Sequence, residues 1–286
     1  MKNCCIAPFT ALSLALVSVV PAKALQEPEP STLGRFEGHV ALLSANALIG
    51  AGTAALTAFL LKRDIGAAFA KGALGGILQY SGKRAAAADW DAAPALGRVL
   101  ASTGASMVQQ ASLGGSLLDS IRVPVGPIRF SVSLRAGLHP RVSLSAFDLA
   151  LLAQALANDH LELDWNRSFS SLAPVFVTRD RRLRHNGDLV RGITQGRLIV
   201  LDGVQPGATE SFSHEVIHVV QNDFMEVVWD RAVEDWVRGK LGMQDRLRFV
   251  YLNIFAPLVR DLEDAILDRK GLIRRLSEAE AEWFER

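Results

Sequence analysis

Residues 40–61, VALLSANALIGAGTAALTAFLL, form an uncharged run of 22 positions. A helix of that length can cross a bilayer or lie at the centre of a soluble domain, and either choice dictates what the rest of the chain packs against. Ser44, Asn46, Gly50, Gly52, Thr53 and Thr57 dilute its apolarity. Lys62, Arg63 and Asp64 end it, and a second apolar stretch follows, IGAAFAKGALGGILQYSGK, with Lys71 in its middle. Gly72 and Gly76 have the GxxxG spacing that lets two helix backbones approach closely. The expectation is a tight helical hairpin over 40–85. Whether it spans a membrane or is buried in protein stays open at this level, because a charge at Lys71 is costly in lipid unless paired or near an end.

The segment before it has the pattern of a secretory signal. MKNCCIAPFTALSLALVSVVPAKALQ carries one early lysine, an apolar core and the small-residue site Ala22-Lys23-Ala24. The expected organisation is a signal peptide over 1–24, a Pro/Glu-rich linker over 25–39, the hairpin over 40–85 and one further domain over 86–286. Cleavage followed by two spans would return the remaining chain to the outer side, with Lys62 and Arg63 inside. The expected location is therefore periplasmic or elsewhere in the cell envelope, membrane-associated, with lipid as a partner. Both cysteines, Cys4 and Cys5, fall within the signal segment, so any metal in the mature chain must be held by histidine and carboxylate. With 31 Lys and Arg against 30 Asp and Glu, dispersed along the chain, no basic face for nucleic acid is expected.

Beyond the hairpin the pattern is mixed, which sets the fold class as α+β. PALGRVLASTGASMVQQASLGGSLL reads as a helix fading into a turn. IRVPVGPIRFSVSL and PRVSLSAF read as two strands joined through RAGLHP, and DLALLAQALAN as a short helix. APVFVTRD and GRLIVLDG are further strands. From Ser211 the chain reads as helical, with Ser211 or Ser213 as N-cap and a break near GKLGMQD.

That helix opens with SFSHEVIHVVQNDF, which contains HExxH at His214, Glu215 and His218. Residues four apart share a helix face, so the two imidazoles can present to one ion, while Glu215 is rotated by about 100° and can reach a water beside it. Strands followed by a helix with this motif resemble the catalytic core of the zinc metallopeptidases called zincins, over about a third of the chain. The resemblance implies one Zn2+ per chain, Glu215 as general base, and an edge strand that aligns substrate, a place taken by GRLIVLDG. Gln221 and Phe224 stand where one class of zincins has a glycine and a third histidine, so the resemblance narrows to the gluzincins, in which a downstream glutamate completes the metal site. A helix returning antiparallel after GKLGMQD brings residues 262–268 level with His218, and Glu263 is the expected ligand because it shares a face with Val259, Ile266 and Leu267. Asp264 and Asp268 remain alternatives or supporting acids. No histidine follows His218, Tyr251 counts away from the metal level, and His185 lies in the preceding loop, so no oxyanion partner is evident. The expected function is an exported, membrane-associated zinc metallohydrolase acting on peptide or protein. The competing expectation is an envelope scaffold or binding protein whose HExxH is inactive or fortuitous.

Overall fold

The computed structural model describes residues 32–135, 139–185, 188–204, 210–230, 250–251, 253 and 272–285. Three long helices open the described chain: α1 (Thr32–Leu60), α2 (Ile65–Ala86) and α3 (Ala93–Ser112). Helix α1 begins within the stretch read as a linker. The α1–α2 turn is set by Asp64, whose carboxylate accepts from the Ala67 amide at the start of α2. The two arms touch backbone to backbone. A Cβ at Gly76 would lie 2.1 Å from the Asn46 carbonyl oxygen, and one at Gly72 would lie 2.5 Å from that of Gly50. The hairpin expected from GxxxG spacing is present, and glycine is what permits its closeness. Gly75, Gly82, Gly97 and Gly104 do the same between α2 and α3.

Ten short strands follow, in a mixed α+β arrangement. In the first sheet, β1 (Ser120–Val125), β2 (Ile128–Ser133) and β3 (His139–Ser145) pair antiparallel, and β10 (Val250–Tyr251) adds parallel to β3. The segment IRVPVGPIRFSVSL, read as one strand, is thus a hairpin of two, because Gly126 takes a left-handed φ of 52° and reverses the chain before Pro127. Helix α4 (Ala146–Leu156) is capped by Ser145, and the short α5 (Trp165–Ser171) by Asp164.

The second sheet has the order β4-β5-β9-β8, from β4 (Leu161–Leu163), β5 (Val175–Thr178), β8 (Gly192–Gln195) and β9 (Leu198–Leu201). Strands β5 and β9 run parallel at its centre, and their sequences VFVT and LIVL are correspondingly apolar. A small hairpin, β6 (Arg184–His185) with β7 (Asp188–Leu189), precedes β8. Helix α6 (Glu210–Met225) carries the HExxH motif and continues into a wider π turn over Glu226–Asp230, and α7 (Leu272–Glu285) closes the described chain. Since α6 begins at Glu210, Ser211 and Ser213 lie inside its first turn and do not cap it.

The apolar hairpin shares a core with the motif helix. One cluster joins Leu42 and Tyr80 of the hairpin to Val175, Ile199 and Leu201 of the sheet, Val216, Ile217 and Val219 of α6, and Ala281 and Phe284 of α7. A second joins Ala54, Ala58 and Ala68 to Phe224 and Val227. Among the described residues one helix, over Arg35–Leu60, is long and apolar enough to cross a membrane, and a third of its most apolar window is buried inside the protein. Val40, Leu48 and Phe59 remain exposed on it, with Phe69, Leu74 and Ile77 exposed on α2. Lys71 is paired, donating to the Gly115 carbonyl at 3.0 Å.

Candidate metal centre

Helix α6 is buried nearly all round. Val216, Ile217, Val219 and Val220 are at most 1% exposed, and Glu215, His218, Asn222, Asp223 and Glu226 are all below 9%. Polar groups buried this deeply on a single helix require partners, and those partners define two adjoining sites.

The first is the motif itself. His214 Nε2 and His218 Nε2 lie 3.0 Å apart, and each is 3.3 Å from Glu278 Oε2 of α7. One ligand atom from each residue falls within 4.8 Å of the other two. With metal bonds of about 2.0–2.1 Å, ligand atoms of a tetrahedral zinc site sit about 3.3 Å apart, so the three side chains fit a divalent ion with little movement. Two imidazole nitrogens and a carboxylate, with no thiolate, also match the donors left to a chain whose cysteines are confined to its first residues. Burial alone would raise the Glu278 carboxyl, but the two histidine rings beside it outweigh this and hold it well below the usual carboxylate range.

The third candidate ligand contributed by the described residues is therefore Glu278. Glu263, the residue expected from the helix count, lies outside the described residues, as do Asp264 and Asp268. Glu278 stands 60 positions after His218, in the C-terminal segment that the count passed over. One signal was available in the sequence: LIRRLSEAEAEWFE forms the most amphipathic of the described helices, which requires that one face be buried.

Glu215 faces the second sheet. The Thr194 hydroxyl of β8 donates to its Oε2 at 2.6 Å and lies 3.1 Å from its backbone carbonyl oxygen. Burial pushes the Glu215 carboxyl up, and the neighbouring histidines and Thr194 only partly offset this. The strand beside the motif is thus β8. GRLIVLDG, expected to be the edge, lies inside the sheet, paired on one side to β5 and on the other to β8. It turns into β8 through Gly196, at a left-handed φ of 57°, and that tight turn transfers the edge position to GITQ.

Gly192 leaves the room Glu215 occupies, since a Cβ there would come within 2.7 Å of its Oε1. Gly192→Ala is expected to displace the carboxylate by up to about 1 Å and to lengthen its contact with the Thr194 hydroxyl. A crystal structure of the variant checks this, and an unmoved Glu215 carboxylate would contradict it.

The second site is a buried ionic cluster further along α6. Arg197, brought inward by the β8–β9 turn, meets Asp223 at 2.8 Å and Asp148 at 3.0 Å, and also pairs with Glu226. Arg98 of α3 meets the other oxygen of Asp223 at 2.7 Å, and Arg129 of β2 meets Glu226 at 3.3 Å. Tyr251 accepts from Arg197 Nη1 at 2.7 Å, and Asn253 donates to Asp148 at 2.7 Å. Three guanidinium groups thus face three carboxylates, so each of these buried groups has a partner of opposite sign. Asp223, Glu226 and Tyr251 are committed here, which agrees with Tyr251 lying away from the metal level.

Comparison with known protein families, curated proteins and solved structures finds no match for this chain.

Proposed function

We propose that the protein is an exported, membrane-associated zinc-dependent metallohydrolase, a peptidase that uses Glu215 as general base. The observation that carries this reading is the convergence of His214, His218 and Glu278 on one point, with Glu215 on the next helical position held by Thr194. The two histidines and Glu278 would hold the metal, which when bound supplies a water of lowered pKa and polarises a carbonyl. Glu215 is suited to take the proton of that water and hand it to the leaving amine. Its burial raises its basicity, and the Thr194 hydroxyl steers Oε2 without neutralising it. Strand β8, paired on one side only among the described residues, offers an edge on which an extended peptide could lie, a role the zincin resemblance assigns to the strand beside the motif.

The apolar residues exposed on the hairpin support the membrane association. A scaffold reading has one observation in its favour: Glu278 meets both imidazoles directly and the two rings meet each other, so the three side chains can satisfy one another by hydrogen bonds without metal.

Metal analysis of the purified full chain separates the two. About one zinc per chain is expected, with loss on His214→Ala, His218→Ala or Glu278→Ala and retention on Glu263→Ala. Removing one of three ligands should weaken zinc by at least about 10–100-fold, the cost seen even for groups that only support a ligand. Metal-free wild-type protein would defeat the hydrolase reading. Zinc lost on Glu263→Ala but kept on Glu278→Ala would move the third ligand to Glu263.

A further inference from the structure

We infer that Lys83 of the apolar hairpin and Glu280 of α7 act through Gln221 as positioning residues that set the tautomer of His218 and turn its Nε2 lone pair toward the metal position. The inference rests on the metal site proposed above and adds residues that neither bind metal nor touch substrate.

Gln221 lies one helical turn after His218, and its Oε1 is 2.9 Å from His218 Nδ1. Its Nε2 is 2.9 Å from Glu280 Oε2 and 3.1 Å from the Ser277 carbonyl oxygen. The latter two atoms can only accept, so the NH2 end of the amide must face them. The carbonyl end is thereby aimed at His218, and a carbonyl beside a ring nitrogen requires that nitrogen to carry the proton. A neutral imidazole protonated at Nδ1 has its lone pair on Nε2, the atom that meets His214 Nε2 and Glu278.

An amide side chain is nearly symmetric in shape, so packing alone does not choose between its two orientations. The choice is made by the Glu280 carboxylate together with the Ser277 carbonyl, since the flipped amide would set its oxygen against both acceptors. Glu280 is held in place from the hairpin. Lys83 Nζ donates to its Oε2 at 2.7 Å, Asn46 Nδ2 donates to its Oε1 at 2.9 Å, and Asn46 Oδ1 accepts from Lys83 at 2.9 Å. A buried ion pair is a poor source of stability compared with apolar side chains of equal size. What apolar groups could not provide is a fixed electrostatic direction for Gln221. The hairpin would thereby be part of the metal site, three hydrogen bonds removed from His218.

The test uses full-length protein labelled with 15N-histidine, metal-free, at alkaline pH where the rings are neutral. Six histidines are present, and the His218 signals are those missing from His218→Ala. The wild type should show Nδ1 protonated and Nε2 bare, and Nε2 protonated there would overturn the inference whatever the variants do. Gln221→Leu should give a mixed or reversed tautomer and bind zinc about 10–100-fold more weakly. Lys83→Met combined with Glu280→Met removes both charges together and strands neither. With the Ser277 carbonyl still in place, it should shift the tautomer in the same direction as Gln221→Leu but less far, while the protein stays folded. A wild-type tautomer and zinc affinity within twofold of wild type in both variants would also overturn it. If the wild type binds no zinc, the metal reading fails, and the tautomer measurement still judges this one.

Discussion

Glu215→Gln should abolish hydrolysis while leaving zinc bound. Glutamine keeps the shape and can still accept from the Thr194 hydroxyl, but it cannot take a proton, and a positioned base contributes about 10²–10⁴-fold. Since the proposed metal site draws on His214, His218 and Glu278 and not on Glu215, metal content should be unchanged. Stability supplies a second readout. Burial raises the Glu215 carboxyl, so between its unfolded and folded pKa the native state holds more protons than the unfolded one, and stability falls as pH rises through that window. Metal-free Glu215→Gln should therefore be at least as stable as wild type at neutral pH, with the difference gone in acid below the ordinary carboxylate range. Melting curves at two pH values check this. A variant that melts well below wild type at neutral pH would show Glu215 to be a structural anion.

The largest loss of stability is expected from Arg197→Met. It leaves Asp148, Asp223 and Glu226 with Arg98 and Arg129 alone to balance them, and removing one partner from a buried ionic group costs about 3–5 kcal/mol. For a chain of this size that corresponds to a fall in Tm of roughly 10 °C. The exposed pair Arg179–Glu162, with side chains 58% and 63% accessible, is the comparison, and Arg179→Ala should cost no more than about 1 kcal/mol. Equal shifts in the two variants would show that the interior cluster is not a stability determinant. The cluster lies on the same helix as the metal ligands, so some loss of zinc affinity in Arg197→Met is expected along with the loss of stability.

Much of this arrangement is legible locally. Glycine spacing announces the hairpin contact because a missing Cβ is a property of single residues. The strands VFVT and LIVL read as strands because apolar β-branched runs of that length bury best on both faces of a sheet. The i, i+4 spacing of His214 and His218 guarantees a shared helix face wherever the helix lies. Other features are less legible. The edge strand differs by one hairpin from the one expected, because edge position depends on which strand lies outermost in the sheet, and the glycine turn at Gly196 passes that place to β8. The burial of Lys83 was not foreseen, since a lysine closing an apolar helix looks solvent-facing until Glu280 is brought against it from 197 residues away.

Local sequence is enough to place two imidazoles on one helical face with Glu215 beside them, and to set an apolar hairpin with small residues at its seam. These depend on helix periodicity and side-chain chemistry, which act within a few residues. Long-range packing sets which acid among the described residues meets the histidines, which strand borders Glu215, and that the hairpin packs into the core of the motif helix. Those outcomes depend on how distant elements pack, and helix counting accumulates an error at every unseen boundary, whereas the contact between Glu278 and His218 is settled by the burial of one face of α7.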